Sequence, residues 1–296
     1  MDGPTTRRNA RQKATGIALC AFLAVGVAFF YAEWWPLAWN VFPAPFFGIP
    51  QAIGAGAAGT AAVLTFGTVH TVSAVTARRH SQSATLVPRS WTAGGAGFSL
   101  VLTGGLVVSI LIAVGMVALT AAEAFEFAPQ GVSSGSLFRV WTDTGTASSG
   151  VYPGGAYSLP VAGTALAAGA FTVAVLGIIA FGRSIGGEAE RTASIHSCTL
   201  MSLTGLAGML GGFLWVSGLA ILQSSQLALD MGVDQLATGN GARGLDIPTV
   251  LAAGCGVVTI VIGILWCATA LVSFVRAARS AIVRSPVVPA LESTSL

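Results

Sequence analysis

Of the 296 residues, 54% are hydrophobic and 8% charged, and the mean hydropathy is +0.78. A soluble domain carries about 25% charged residues, and the 14 basic and 11 acidic side chains here cannot cover a water-soluble particle of this size, so apolar surface has to face lipid. The one lysine, Lys13, precedes the first apolar run, which excludes a membrane-embedded Schiff-base lysine and a G-x-x-x-x-G-K phosphate loop.

A spanning helix needs about 20 apolar residues, and six uncharged windows of that size succeed one another along the chain. They predict an all-α, polytopic integral membrane helix bundle of six transmembrane helices. A basic N-terminus, 1–13, leads into a first span at about 14–32. Its apolar stretch is long and ends in Glu33-Trp34-Trp35-Pro36, without a small-x-small cleavage site, so it reads as an uncleaved signal anchor.

The connection that follows, 33–50, interleaves Trp34, Trp35, Trp39, Phe42, Phe46 and Phe47 with four prolines. Proline at that density forbids a regular helix, and the aromatic rings are too apolar for open water, so the segment is expected in the outer interface as an aromatic belt. The alternative is a re-entrant lid over a cavity between helices.

The second span is expected at about 51–76 and the third at about 94–122. A long outer connection then contains Gly131-Val132-Ser133-Ser134-Gly135, which matches the G-x-S-x-G nucleophile pattern. That motif needs a strand-to-helix elbow and an activating histidine. His70, His80 and His196 all map to the opposite side, so the rest of this connection, with Tyr152 and Tyr157, reads as a flexible loop for contacting a partner or covering a pore. The remaining spans are expected at about 159–182, 199–222 and 247–275, followed by a tail over 277–296.

The loops test this assignment, because basic residues accumulate on the cytoplasmic side. Twelve of the 14 basic residues fall on one side: Arg7, Arg8, Arg11 and Lys13, then Arg78, Arg79 and Arg89, then Arg183 and Arg191, then Arg276, Arg279 and Arg284. The other side holds Arg139 and Arg243 against Glu33, Glu123, Glu126, Asp143, Asp230, Asp234 and Asp246. Both termini are therefore expected in the cytoplasm, and the protein in the cell membrane as a multi-pass chain. Basic residues scattered beside apolar segments, rather than massed on one face, exclude nucleic acid as a partner.

Candidate chemistry is sparse. Ionisable groups inside spans mark proton relays and ion paths because burial of a charge is costly, at least ~2.5 kcal/mol. His70, about two-thirds along the second span, is the one such group, with Glu33, Glu123 and Glu126 at outer ends as the further candidate polar residues. No H-x-x-H or C-x-x-C spacing occurs, and neither a metal nor a cofactor is expected.

Small residues instead recur at packing distances. Ala55 and Gly59 in the second span, and Gly208 and Gly212 in the fifth, are four apart, which predicts close helix approach. Thr60, Thr65, Thr103 and Thr204 are expected to hydrogen-bond across helices, and Ala220 to face lipid. The inner loops are too short for a catalytic or nucleotide-binding domain. A small permease or the membrane-embedded subunit of a transport or export system is the leading expectation. The alternatives are an accessory or scaffold subunit of a larger membrane complex, or an intramembrane enzyme acting on a lipid or prenyl substrate. The expected partners are the lipid bilayer and a second membrane subunit or another copy of the chain.

Overall fold

The computed structural model describes residues 4–31, 49–78, 137–142, 145–150, 155–181, 188–237 and 247–282. Among them are five helices: α1 (Pro4–Tyr31), α2 (Ile49–Arg78), α3 (Gly155–Phe181), α4 (Glu188–Ala237) and α5 (Ile247–Ile282). Each contains a stretch long and apolar enough to cross a membrane, namely Arg11–Tyr31, Pro50–Val72, Leu159–Ala180, Arg191–Gln223 and Ala253–Ile282. Five of the six expected spans coincide with these helices. The expected third, 94–122, lies outside the described residues, as do Glu33, Glu123, Glu126, Trp34, Trp35, Trp39, Phe46 and Phe47.

The helices outrun the apolar windows because hydropathy reports where lipid ends, whereas a helix continues wherever propensity and hydrogen bonding allow. α4 is the extreme case. The expectation was about 199–222, but the helix has 50 residues, about 75 Å at 1.5 Å per residue, against a hydrocarbon core of about 30 Å. Pro160 lies in the second turn of α3, where it removes one backbone hydrogen bond of the helix.

One element departs from the all-helical expectation. Within the long connection read as a flexible loop, β1 (Leu137–Thr142) and β2 (Gly145–Gly150) form an antiparallel hairpin with Arg139 opposite Ser148 and Trp141 opposite Thr146. The alternating run Leu137-Phe138-Arg139-Val140-Trp141-Thr142 carries the period-2 pattern of a strand, and only Asp143 and Thr144 separate the two strands. The hairpin packs against α4.

α4 is the centre of the bundle: 61% of its apolar window is buried, against 17% for α1 and for α5 at the periphery. Contacts across the interfaces fix the helix directions. Phe29 meets Gly54 while Gly26 meets Ala58, so α1 and α2 are antiparallel. Gly59 meets Gly205 and Gly56 meets Met209, which makes α2 and α4 antiparallel. Gly56 also meets Thr164 while Gly67 meets Val175, so α2 and α3 run parallel. The chain that leaves α2 at Arg78 therefore has to return to the opposite end of the bundle before α3 begins at Gly155.

The core is built from small residues and a few large ones. One cluster joins Ala14 and Ala18 of α1, Phe66 of α2, Ile179 of α3 and Ile195, Cys198 and Met201 of α4. A second joins Val161 and Ala165 of α3 to Leu206, Met209, Leu210 and Phe213 of α4.

Candidate functional site

The closest helix contacts are backbone against backbone. A Cβ built on Gly59 would stand 2.6 Å from the Gly205 Cα, and one built on Gly205 would stand 2.5 Å from the Gly59 Cα. A second contact joins α4 to α5. Gly211 lies against the backbone of Gly263 and Cys267, and Gly218 against that of Gly256 and Ile260. The seven-residue spacing on both helices is that of a left-handed, antiparallel supercoil, which keeps one seam in contact over several turns. Lipid tails are as apolar as leucine, so this close approach supplies the van der Waals attraction that a hydrophobic effect cannot.

Of the expected packing pair, Gly208 is in contact: its Cβ position lies 3.4 Å from the Ala55 Cβ and 3.7 Å from the Ala270 Cβ. Gly212 meets nothing within 4 Å among the described residues. α4 carries glycines on two faces, Gly205 and Gly208 toward α2 and Gly211 and Gly218 toward α5. Ala220 is buried rather than lipid-facing, whereas Trp215, Val216 and Leu219 are exposed.

The threonines also differ from expectation. Thr60 and Thr204 donate to the carbonyls of Gly56 and Leu200, one turn back in their own helices. The bond between helices is instead made by Thr172 of α3 and Ser202 of α4, 2.8 Å apart and buried. Thr172 donates its proton to the Ala168 carbonyl at 2.7 Å, which leaves Ser202 to donate to Thr172.

Among the described residues, three side chains hold a buried polar atom without a hydrogen-bond partner. Between α1 and α2 lies a groove of about 260 Å³, lined by Phe22, Gly26, Phe30, Gln51, Gly54, Ala55 and Ala58. Its polar group is Gln51, whose Nε2 donates to the Phe30 carbonyl at 3.3 Å while its buried Oε1 accepts nothing. The groove suits an apolar chain with one donor beside it. At the opposite end of α2, His70 is buried, its ring stacked on Phe66 with centroids 5.5 Å apart and planes 5° from parallel, and its Nε2 has no hydrogen-bond partner. Arg191 likewise has a buried Nε without a partner. No hydropathy or spacing signal announced Gln51 or Arg191, because an orphaned atom is a property of the packed structure.

Among the described residues, no group of three or more His, Cys, Asp or Glu could hold a metal ion. The cysteines are free: Cys198 is buried, Cys267 half-buried, and Cys20 and Cys255 exposed on the apolar surface.

Five apolar helices packed through glycine and alanine define a helical bundle of the multi-pass membrane class. Compared with known proteins, the chain matches no family model, no curated protein and no solved structure.

Proposed function

We propose that the chain is a six-span subunit of the cell membrane, with both termini in the cytoplasm, that serves as the membrane-embedded part of a transport or export assembly. The observation that carries the reading is the form of α4. The uncharged window read from the sequence ends at about 222, and the helix continues to Ala237. The level shared by Thr164 and Met209 and the Thr172–Ser202 pair run α3 against α4, and carried on to Gly155 this register reaches Gly218. The β1–β2 hairpin, which ends just before α3 and packs on α4, therefore belongs at the end where α4 projects. A long helix buttressed by a hairpin is a platform on which a second subunit docks outside the bilayer. The parallel run of α2 and α3 supports the sixth crossing, for which the apolar window 94–122 is available.

Purification in a mild detergent tests the reading. A stoichiometric partner, released when residues 224–237 of α4 are replaced by a flexible linker of equal length, is the expected result. A solitary protein that the replacement leaves unchanged contradicts it. The α1–α2 groove favours a second reading, an enzyme or carrier for a lipid or prenyl chain. That reading predicts co-purification of an apolar small molecule displaced by Gly54→Leu.

A further inference from the structure

The groove between α1 and α2 has one polar end and one apolar end. The Phe30 carbonyl and the Gln51 amide meet at the first. Further along, Gly26 faces Ala58, and Phe22 lines the far end, its ring 5.8 Å from that of Phe274 on α5. Phe22 and Phe30 are just over two turns apart on α1, about 12 Å along its axis. The uncharged window of α1 ends at about 32 and that of α2 begins at about 51. The polar end therefore lies at the membrane interface and the apolar end within the hydrocarbon.

The orientation of the amide follows from its partner. A carbonyl only accepts, so the atom facing the Phe30 oxygen is Nε2, and the buried atom left without a partner is the acceptor Oε1. A buried acceptor in that state lacks a donor, which a ligand can supply. The groove of about 260 Å³ has room for about nine atoms at roughly 30 Å³ each. That is one apolar chain, and not the two chains of a phospholipid.

We propose that the groove binds a single-chain lipid alcohol, its chain lying along Gly26 and Ala58 and its hydroxyl donating to the Gln51 Oε1. Ester and carboxylate heads bring further acceptors to an acceptor, whereas a hydroxyl brings the missing donor. This ligand class rests on the lipid or prenyl reading of the same groove and adds to it the head group that is recognised and the number of chains.

The test uses the full-length protein in phosphatidylcholine nanodiscs, labelled with a photoreactive diazirine derivative of 1-decanol and mapped by peptide mass spectrometry. Labelling is expected on the segments 22–30 and 51–58. Free 1-decanol is expected to suppress it at about a fifth of the membrane concentration that its methyl ether requires, the net effect of one hydrogen bond. Gln51→Leu is expected to keep the label and erase that difference. Gly26→Leu, whose Cβ position stands 3.8 Å from the Ala58 Cβ, fills the groove and is expected to abolish labelling there.

Equal competition by alcohol and ether would overturn the recognition of a hydroxyl while leaving the groove a lipid site. A preference that persists in Gln51→Leu would overturn it too. If Gln51→Leu does not accumulate, the comparison of alcohol with ether on the parent protein decides. Label spread evenly over exposed positions such as Leu265 of α5, or absent from the groove because residues 32–48 of the chain lie across it, would overturn both the ligand and the lipid reading.

Discussion

Replacing Gly59 by alanine puts a methyl carbon 2.6 Å from the Gly205 Cα and 3.2 Å from its nitrogen. Carbons in contact stand about 3.5–4.0 Å apart, so α2 and α4 have to separate by roughly 1 Å. No side chain can swing aside, because the obstructing atoms are backbone. Overpacking of this kind costs about 1–3 kcal/mol, while the gain in helix propensity over glycine is at most about 1 kcal/mol. The net expectation is destabilisation of about 1–2 kcal/mol for Gly59→Ala and for Gly205→Ala. The double variant is expected to lose less than the sum of the two, because the helices separate only once.

Gly212→Ala supplies the opposite sign. Its Cβ meets nothing within 4 Å among the described residues, so against them only the propensity gain and the reduced freedom of the unfolded chain remain, and stability is expected to hold or rise by about 0.4–1 kcal/mol. The assay is unfolding of the purified protein by titration of a denaturing detergent into a mild one, followed by helicity. Unfolding of Gly59→Ala and Gly205→Ala at the parent midpoint would refute the close approach of α2 and α4.

Other outcomes follow from the same packing. Gly263→Leu is expected to detach α5 and abolish accumulation, since its Cβ already falls 2.6 Å from the Trp215 nitrogen, whereas Gly254→Leu, with nothing within 4 Å among the described residues, is expected to accumulate normally; immunoblots of membranes read both. Thr172→Val removes the bond to Ser202 and is expected to cost about 0.6 kcal/mol, up to about 1.7, by the same unfolding titration. Cys198, buried in the core cluster, is expected to resist a small membrane-permeant maleimide until the protein is unfolded, and labelling at the rate of Cys20 or Cys255 would contradict its burial.

How much of this was legible in the sequence depended on which physical signal each feature leaves. The described spans were legible because a lipid-facing helix must be uncharged throughout, and runs such as Leu251 to Val275 announce that directly. The ends were not, because the turns carrying Arg11 and Lys13 in α1, or Arg276 and Arg279 in α5, are helical yet polar. Ala55 and Gly59 were legible as a packing face because one turn separates them. Gly211 with Gly218, and Gly256 with Gly263, were missed since their repeat is seven, the period of a supercoil rather than of a single turn. His70 was legible as an ionisable residue in an apolar run. The unpartnered Nε of Arg191 was not, because in the sequence that residue reads only as a topology signal.

The central claim is that the five described helices cross a membrane, each antiparallel to the next except α2 and α3, which point the same way. A dual topology reporter, enzymatically active only outside the cytoplasm and fluorescent only inside it, tests this most directly when inserted singly into the full-length protein. Insertions in 79–93, in 183–187 and after Arg284 are expected to fluoresce, and those in 33–48, at 143–144 in the hairpin turn and in 238–246 to be enzymatically active. The position in 183–187 avoids the α4 helix, which already includes Arg191. If the 79–93 and 143–144 reporters instead lie on the same side, the chain makes an even number of crossings between α2 and α3, and both their parallel packing and the six-span architecture are wrong.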